Sequence, residues 1–90
     1  MSALDDQQIA QELKALPGWE RRGDEIRRTF SFPDFKAALA FVNRVGGLAE
    51  AMNHHPDIDI RYSKVTLALT THDAGGLSTR DFELAGRIGG

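Results

Sequence analysis

Between Asp57 and Leu69 the chain alternates apolar and polar residues with a period of two, twice in succession. Ile58, Ile60 and Tyr62 fall on one face, with Asp57, Asp59, Arg61 and Ser63 on the other, and Val65, Leu67 and Leu69 repeat the pattern after a connection at Ser63-Lys64. Successive side chains of a strand point to opposite faces, so this segment predicts an antiparallel hairpin with one apolar face that must be covered. A chain of 90 residues is too short for a second domain to supply the cover. The cover must come from helices within a single domain spanning residues 1–90.

The rest of the chain contains three such helices. Leu4, Ile9, Leu13 and Leu16 recur at helical spacing over residues 4–16, Asp5 and Gln8 fit a capping box, and Pro17-Gly18 stops the run. Trp19 to Arg22 and Glu25 to Phe32 read as short strands joined at Gly23-Asp24, a second hairpin. From Asp34 to about Asn53 the positions Phe35, Leu39, Val42, Val45, Ala49 and Met52 step by three and four, which predicts one buried stripe on a long helix. Gly46-Gly47 interrupts that helix, so either a close backbone contact or bend is expected there, or simply a tolerated weakness. After Gly75-Gly76 a last helix opens with Ser78 as cap and Asp81 three residues on, with Leu77 and Phe82 as a staple. The expected fold is α+β, a four-stranded antiparallel sheet with three helices packed on one face, in the order α-β-β-α-β-β-α.

Composition removes several classes of function. No apolar run approaches the roughly 20 residues needed to span a bilayer. The first six residues carry acids where a secretory leader would be basic and then apolar, so a cytoplasmic location is expected. A net charge of -2 offers no positive field for gathering phosphates, which argues against nucleic acid as a direct partner. With no cysteine, neither disulfides nor thiolate ligands can reinforce a small core, and association with further copies is the available alternative.

All three histidines, His54, His55 and His72, lie within 19 positions, and an imidazole titrates near neutral pH, which suits proton transfer. Pro56 biases His55 out of the helical region, so the long helix should end at about Asn53 or His54, where its dipole favours a protonated ring. Glu50, at i, i+4, is placed to hold His54, or is a surface ion pair. His72 follows the last strand, and if that strand extends far enough parity puts it opposite Val65, Leu67 and Leu69. Thr70, Thr71 and Asp73 surround it with hydrogen-bonding groups suited to a flat polar heterocycle. Three histidines also raise zinc, but the side chains of adjacent His54 and His55 diverge, so no metal is expected. A structural role for the histidines is the remaining alternative.

The string Glu50-Ala51-Met52-Asn53-His54-His55-Pro56, followed by Tyr62, Val65, Leu67, Thr71-His72, Gly76-Leu77-Ser78 and Arg80-Asp81, resembles the pterin-4a-carbinolamine dehydratases. It departs from some members at Asn53, where they carry an acid, and at Asp57-Ile58, where they have an aromatic after the proline. The resemblance implies dehydration of a 4a-hydroxytetrahydropterin to the quinonoid dihydropterin, with no metal or bound cofactor. It implies a catalytic set of His54 as lead general acid/base, His72 as its partner and His55 as a positioning or secondary group, with Glu50, Asn53, Thr70, Thr71 and Asp73 around the pterin substrate. It further implies a homodimer or homotetramer. The resemblance also brings the competing reading of a non-catalytic binding protein, because relatives serve as dimerisation cofactors or as assembly factors for other proteins. Asp81 is expected to be structural despite lying in this string, because its distance from Ser78 suits a capping box.

Overall fold

The computed structural model describes residues 3–89; Met1, Ser2 and Gly90, the ends of the expected 1–90 domain, lie outside them. Helix α1 (Asp6–Leu13) is followed by β1 (Glu20–Arg22), β2 (Glu25–Ser31), α2 (Phe35–Met52), β3 (Asp57–Arg61), β4 (Lys64–Leu69) and α3 (Thr79–Ile88). The four strands form one antiparallel sheet in the order β1-β2-β4-β3, which leaves β1 and β3 as its edges. The α+β fold is the one the patterning predicts.

Local chemistry fixes the helix starts. Asp5 and Ser78 each open a capping box, with Gln8 and Asp81 as the reciprocal partners, and Asp34 accepts a hydrogen bond from the Ala37 amide at 2.8 Å. Each such cap contributes about 0.5 to 2 kcal/mol. The register then aligns Ile26 with Leu69, Phe30 with Val65, and Ile58 with Leu67. Ile26, Val65, Leu67 and Leu69 consequently share one sheet face. They form a single cluster with Ile9 of α1, Ala38, Val45 and Ala49 of α2, and Phe82, Leu84, Ala85 and Ile88 of α3. Fully burying a side chain such as Leu67 contributes about 1.5 to 3 kcal/mol.

Several expectations about burial are corrected. The predicted stripe of α2 is buried only from its middle onward: Val45 and Ala49 are sealed, whereas Phe35 and Leu39 are 46% and 41% exposed, and Ala38 takes the inward position instead. The hydrogen bonds between α2 and α3 lie further along, where Arg44 Nη2 donates to Ile88 O and Arg80 Nη2 to Met52 O. Ile58 and Ile60 of the edge strand β3 face the helix side of the sheet, yet stay 38% and 37% exposed. Tyr62 leaves the strand altogether: Arg61 pairs with Lys64, so the turn is Tyr62-Ser63 rather than Ser63-Lys64, and Tyr62 takes a left-handed φ of 51°. Gly46 and Gly47 meet no close contact, since a Cβ at either would find nothing within 4 Å, and α2 runs through them unbroken. Among the described residues no helix is long and apolar enough to cross a membrane.

Candidate active site

The C-terminus of α2 is built to turn His54 inward. Asn53 adopts the left-handed conformation (φ 50°, ψ 44°), its amide bonding back to Ala49 and Glu50, and the His54 amide donates to Ala49 O at 3.0 Å. Arg80, at the start of α3, donates from Nη2 to Met52 O at 3.0 Å and to Asn53 O at 2.9 Å. A cation thus meets the exposed carbonyls at the negative end of the helix dipole. Only 7% of His54 remains exposed.

Its ring is fixed from the far side by Asp81, a fully buried carboxylate whose Oδ1 lies 2.6 Å from His54 Nε2. A carboxylate only accepts, so Nε2 carries the proton in this bond. Asp81 Oδ2 accepts from Thr71 Oγ1 at 2.8 Å and from the Ser78 amide at 2.9 Å. Three donors on one sealed carboxylate offset the cost of burying it. His54 Nδ1 makes no hydrogen bond to the described residues, and the only sealed polar side-chain atom without a partner among them is Trp19 Nε1. Nδ1 is therefore accessible from the cleft, as an acceptor when the ring is neutral and a donor when it is protonated.

His72 approaches from the other side. Strand β4 stops at Leu69, so the parity expected of His72 does not apply, and the residue instead opens a 3₁₀ turn, His72–Ala74, with its side chain exposed. Reciprocal backbone bonds between Thr71 and Gly76, at 3.2 and 3.3 Å, close this turn. Gly75 sits at its end with φ 77°, a conformation that favours glycine.

Asn53, His54, His55, Thr70, Thr71, His72 and Asp73 all line one open cleft of about 250 Å³. Of the expected site residues only Glu50 is absent from it. The left-handed turn at Asn53 breaks the i, i+4 relation with His54, and the Glu50 carboxylate pairs with Nε2 of the exposed His55 ring instead. Thr71 lines the cleft, and its hydroxyl is committed to Asp81 and to Ser78 Oγ. Thr70 donates from Oγ1 to Asp24 O at 2.5 Å, tying the strand end to the first hairpin. Two residues were not anticipated at this cleft. Arg80 lines the cleft, and Asp81 is a capping residue that also orients a histidine. The cap spacing from Ser78 made Asp81 visible, but nothing in the spacing pointed to His54, 27 positions away. Among the described residues, no three His, Cys, Asp or Glu side chains are grouped to hold a metal.

Fold and site together define a small α+β domain whose cleft presents imidazoles from a helix end and a strand end. Residues 2–90 match the sequence pattern of the pterin 4 alpha carbinolamine dehydratase family, and the chain belongs to that family. A protein of Roseiflexus sp. (strain RS-1), provisionally named a pterin-4-alpha-carbinolamine dehydratase, is 60% identical over 85 residues, covering 94% of this chain and 91% of its own. A relative from Thermomicrobium roseum with the same provisional name is 56% identical over 88 residues, covering 98% and 95%. Among solved structures, a transcriptional coactivator/pterin dehydratase from Brucella melitensis superimposes with a TM-score of 0.93 at 30% identity, over 97% of this chain and 95% of that one. A pterin dehydratase-like protein described as a RuBisCO assembly factor shares the fold, with a TM-score of 0.64 at 18% identity over 78% and 81% of the two chains.

Proposed function

We propose that the protein dehydrates a 4a-hydroxytetrahydropterin to the quinonoid dihydropterin and water by histidine acid/base catalysis in the cytoplasm. The observation that carries this reading is the convergence of His54, His55 and His72 on one cleft, with His54 oriented by the buried Asp81. In the reaction the C4a–O bond breaks as the hydroxyl leaves with an added proton, N5 loses its proton, and the N5=C4a double bond forms. One protonated and one neutral imidazole on either side of the ring meet these requirements. Nδ1 of His54 and the exposed ring of His72 are the two groups in this proposal. His55, paired with Glu50, has a positioning role, and Asn53, Thr70 and Asp73 supply hydrogen bonds to the polar edge of the pterin.

Alanine at His54 or His72 is expected to slow carbinolamine decay by roughly 10² to 10⁴, the range for losing a general acid or base. The double variant should fall short of the product of the two single effects, because groups that act as a unit are not additive. His55→Ala should be milder. The measurement is stopped-flow decay of the carbinolamine, with circular dichroism confirming that each variant is folded. Wild-type rates in folded His54→Ala and His72→Ala would reject histidine catalysis, and no acceleration by the wild-type protein would favour the alternative, a non-catalytic dimerisation or assembly cofactor for another protein. We further propose that the protein works as a homodimer or homotetramer, supported by the apolar surface left open on α2 and β3.

A further inference from the structure

The chain ahead of α1 makes one contact that the helix itself does not require. Leu4 stands immediately before the Asp5 cap, so its amide lies outside the helix and can donate elsewhere. It donates to Leu77 O at 2.7 Å. The Leu4 side chain packs against the buried core, and Ala3 lies beside the buried Gly76, where an added Cβ would stand 3.5 Å from the Ala3 Cβ. Residues 3 and 4 therefore run as a strap along residues 76 and 77, and the capping box of Asp5 and Gln8 fixes where the helix behind the strap begins. The accepting carbonyl belongs to the peptide group whose N–H is that of Ser78. That N–H donates to Asp81 Oδ2 at 2.9 Å, and Asp81 Oδ1 lies 2.6 Å from His54 Nε2. One line of hydrogen bonds thus leads from the Leu4 amide, through the Leu77-Ser78 peptide and the Asp81 carboxylate, to the His54 ring. Polarisation along such a line strengthens each of its members.

We propose that Leu4 is a positioning residue for the dehydration: its amide locks the Leu77-Ser78 peptide and, through that peptide, both imidazoles of the reaction, although α1 contributes no residue to the reaction cleft. The inference rests on the dehydratase reading. Towards the C-terminus the locked peptide presents the Ser78 N–H to the carboxylate that orients His54. Towards the N-terminus it adjoins Gly76, whose backbone bonds to Thr71 close the turn bearing His72. His72, Asp73 and Gly75 are exposed, so packing of their own side chains does not hold that turn, and its two backbone legs must do so. The leg at residues 76 and 77 lies between Thr71 on one side and the strap on the other. Release of the strap frees that leg and weakens the Ser78 N–H as a donor to Asp81 in the same step.

The test compares Leu4→Pro, which removes the donor, with Leu4→Met, which keeps donor and volume, and with Val65→Ala, which weakens the core at the far end of β4. Hydrogen exchange is followed at the Gly76 and Ser78 amides, and turnover by stopped-flow decay of the carbinolamine. In Leu4→Pro both amides should exchange about fivefold to tenfold faster, the effect of losing one net hydrogen bond. Its kcat should fall by about tenfold to 10²-fold, the range for shifting a reacting group by up to about 1 Å, with a smaller change in the affinity for a non-reactive pterin. Leu4→Met should match the wild type in both readouts. Val65→Ala should lower the urea midpoint at least as far as Leu4→Pro does, with kcat unchanged. Should Leu4→Pro fail to fold, Leu4→Ala, which loosens the strap through packing, should give the same changes in smaller measure. Wild-type kcat in whichever of the two folds, or an equal loss of kcat in Val65→Ala, would overturn the positioning role and leave Leu4 a core residue. If the wild-type protein accelerates no carbinolamine, the dehydratase reading fails, whereas exchange at Gly76 and Ser78 still decides whether the strap holds the peptide.

Discussion

At the scale of single residues, Asp81 has two tasks that sequence spacing shows only in part. Its place three residues after Ser78 identifies a cap, and the capping box is present. Its bond to His54 crosses 27 residues and depends on the tertiary fold, so no local pattern encodes it. The two tasks are separable. Ser78→Ala removes the cap hydroxyl and should cost about 0.5 to 2 kcal/mol in urea unfolding, with turnover largely kept. Asp81→Asn places an amide N–H against the donors Thr71 and Ser78, or against the His54 ring, and an unmatched buried group costs about 1 to 3 kcal/mol. The Asn variant should also lose more than tenfold in rate, and up to about 10⁴, the loss seen when a carboxylate that orients a catalytic histidine becomes an amide. Turnover surviving in folded Asp81→Asn would return Asp81 to a purely structural role.

At the scale of elements, the helix starts and the strand alternation were legible because caps and periodicity are local properties. The end of α2 was legible in position, from Pro56, but not in consequence. Asn53 in the left-handed region swings the following residues out of helical register, which is why Glu50 meets His55 and not His54. Glycine adopts this conformation without penalty, whereas other residues pay about 1 to 2 kcal/mol, asparagine less than most. Asn53→Gly should accordingly hold thermal stability within about 0.5 kcal/mol and Asn53→Ala should lose about 1 kcal/mol. Because Asn53 also lines the cleft, the glycine variant isolates its proposed contact with the pterin, and weaker binding of a non-reactive pterin by a fully stable protein is the expected result.

At the scale of the whole molecule, periodicity announced apolar faces on α2 and β3 without saying what would cover them. Phe35 and Leu39 on α2, Ile58 and Ile60 on the edge strand, and Tyr62 at the following turn remain between 37% and 69% exposed. An apolar edge of this kind is the surface that the proposed association would cover. Sedimentation at micromolar concentration should show an oligomer, and Ile60→Lys together with Leu39→Lys should shift it towards monomer without loss of secondary structure; a monomeric wild-type protein would count against the proposal. Gly47 gives an independent reading. Within one chain an added Cβ meets nothing, so Gly47→Ala should stabilise an isolated copy by about 0.5 to 1 kcal/mol. Destabilisation instead would reveal a second backbone lying against that helix face.

The Asp81 carboxylate joins three stretches of chain that leave three different elements: His54 after α2, Thr71 after β4, and Ser78 before α3. Separation of Thr71 or Ser78 leaves the carboxylate short of a donor, and separation of His54 frees the imidazole it orients, so partial opening here weakens the support of the proposed chemistry. The Ser78 amide reports that event directly, because exchange of its hydrogen with solvent requires release from the carboxylate. Its exchange should slow when a pterin occupies the cleft, by the factor 1 + [L]/Kd that follows from binding to the closed form alone. Heat should then silence turnover and unmask this one amide at the same temperature, before the strands of the sheet exchange.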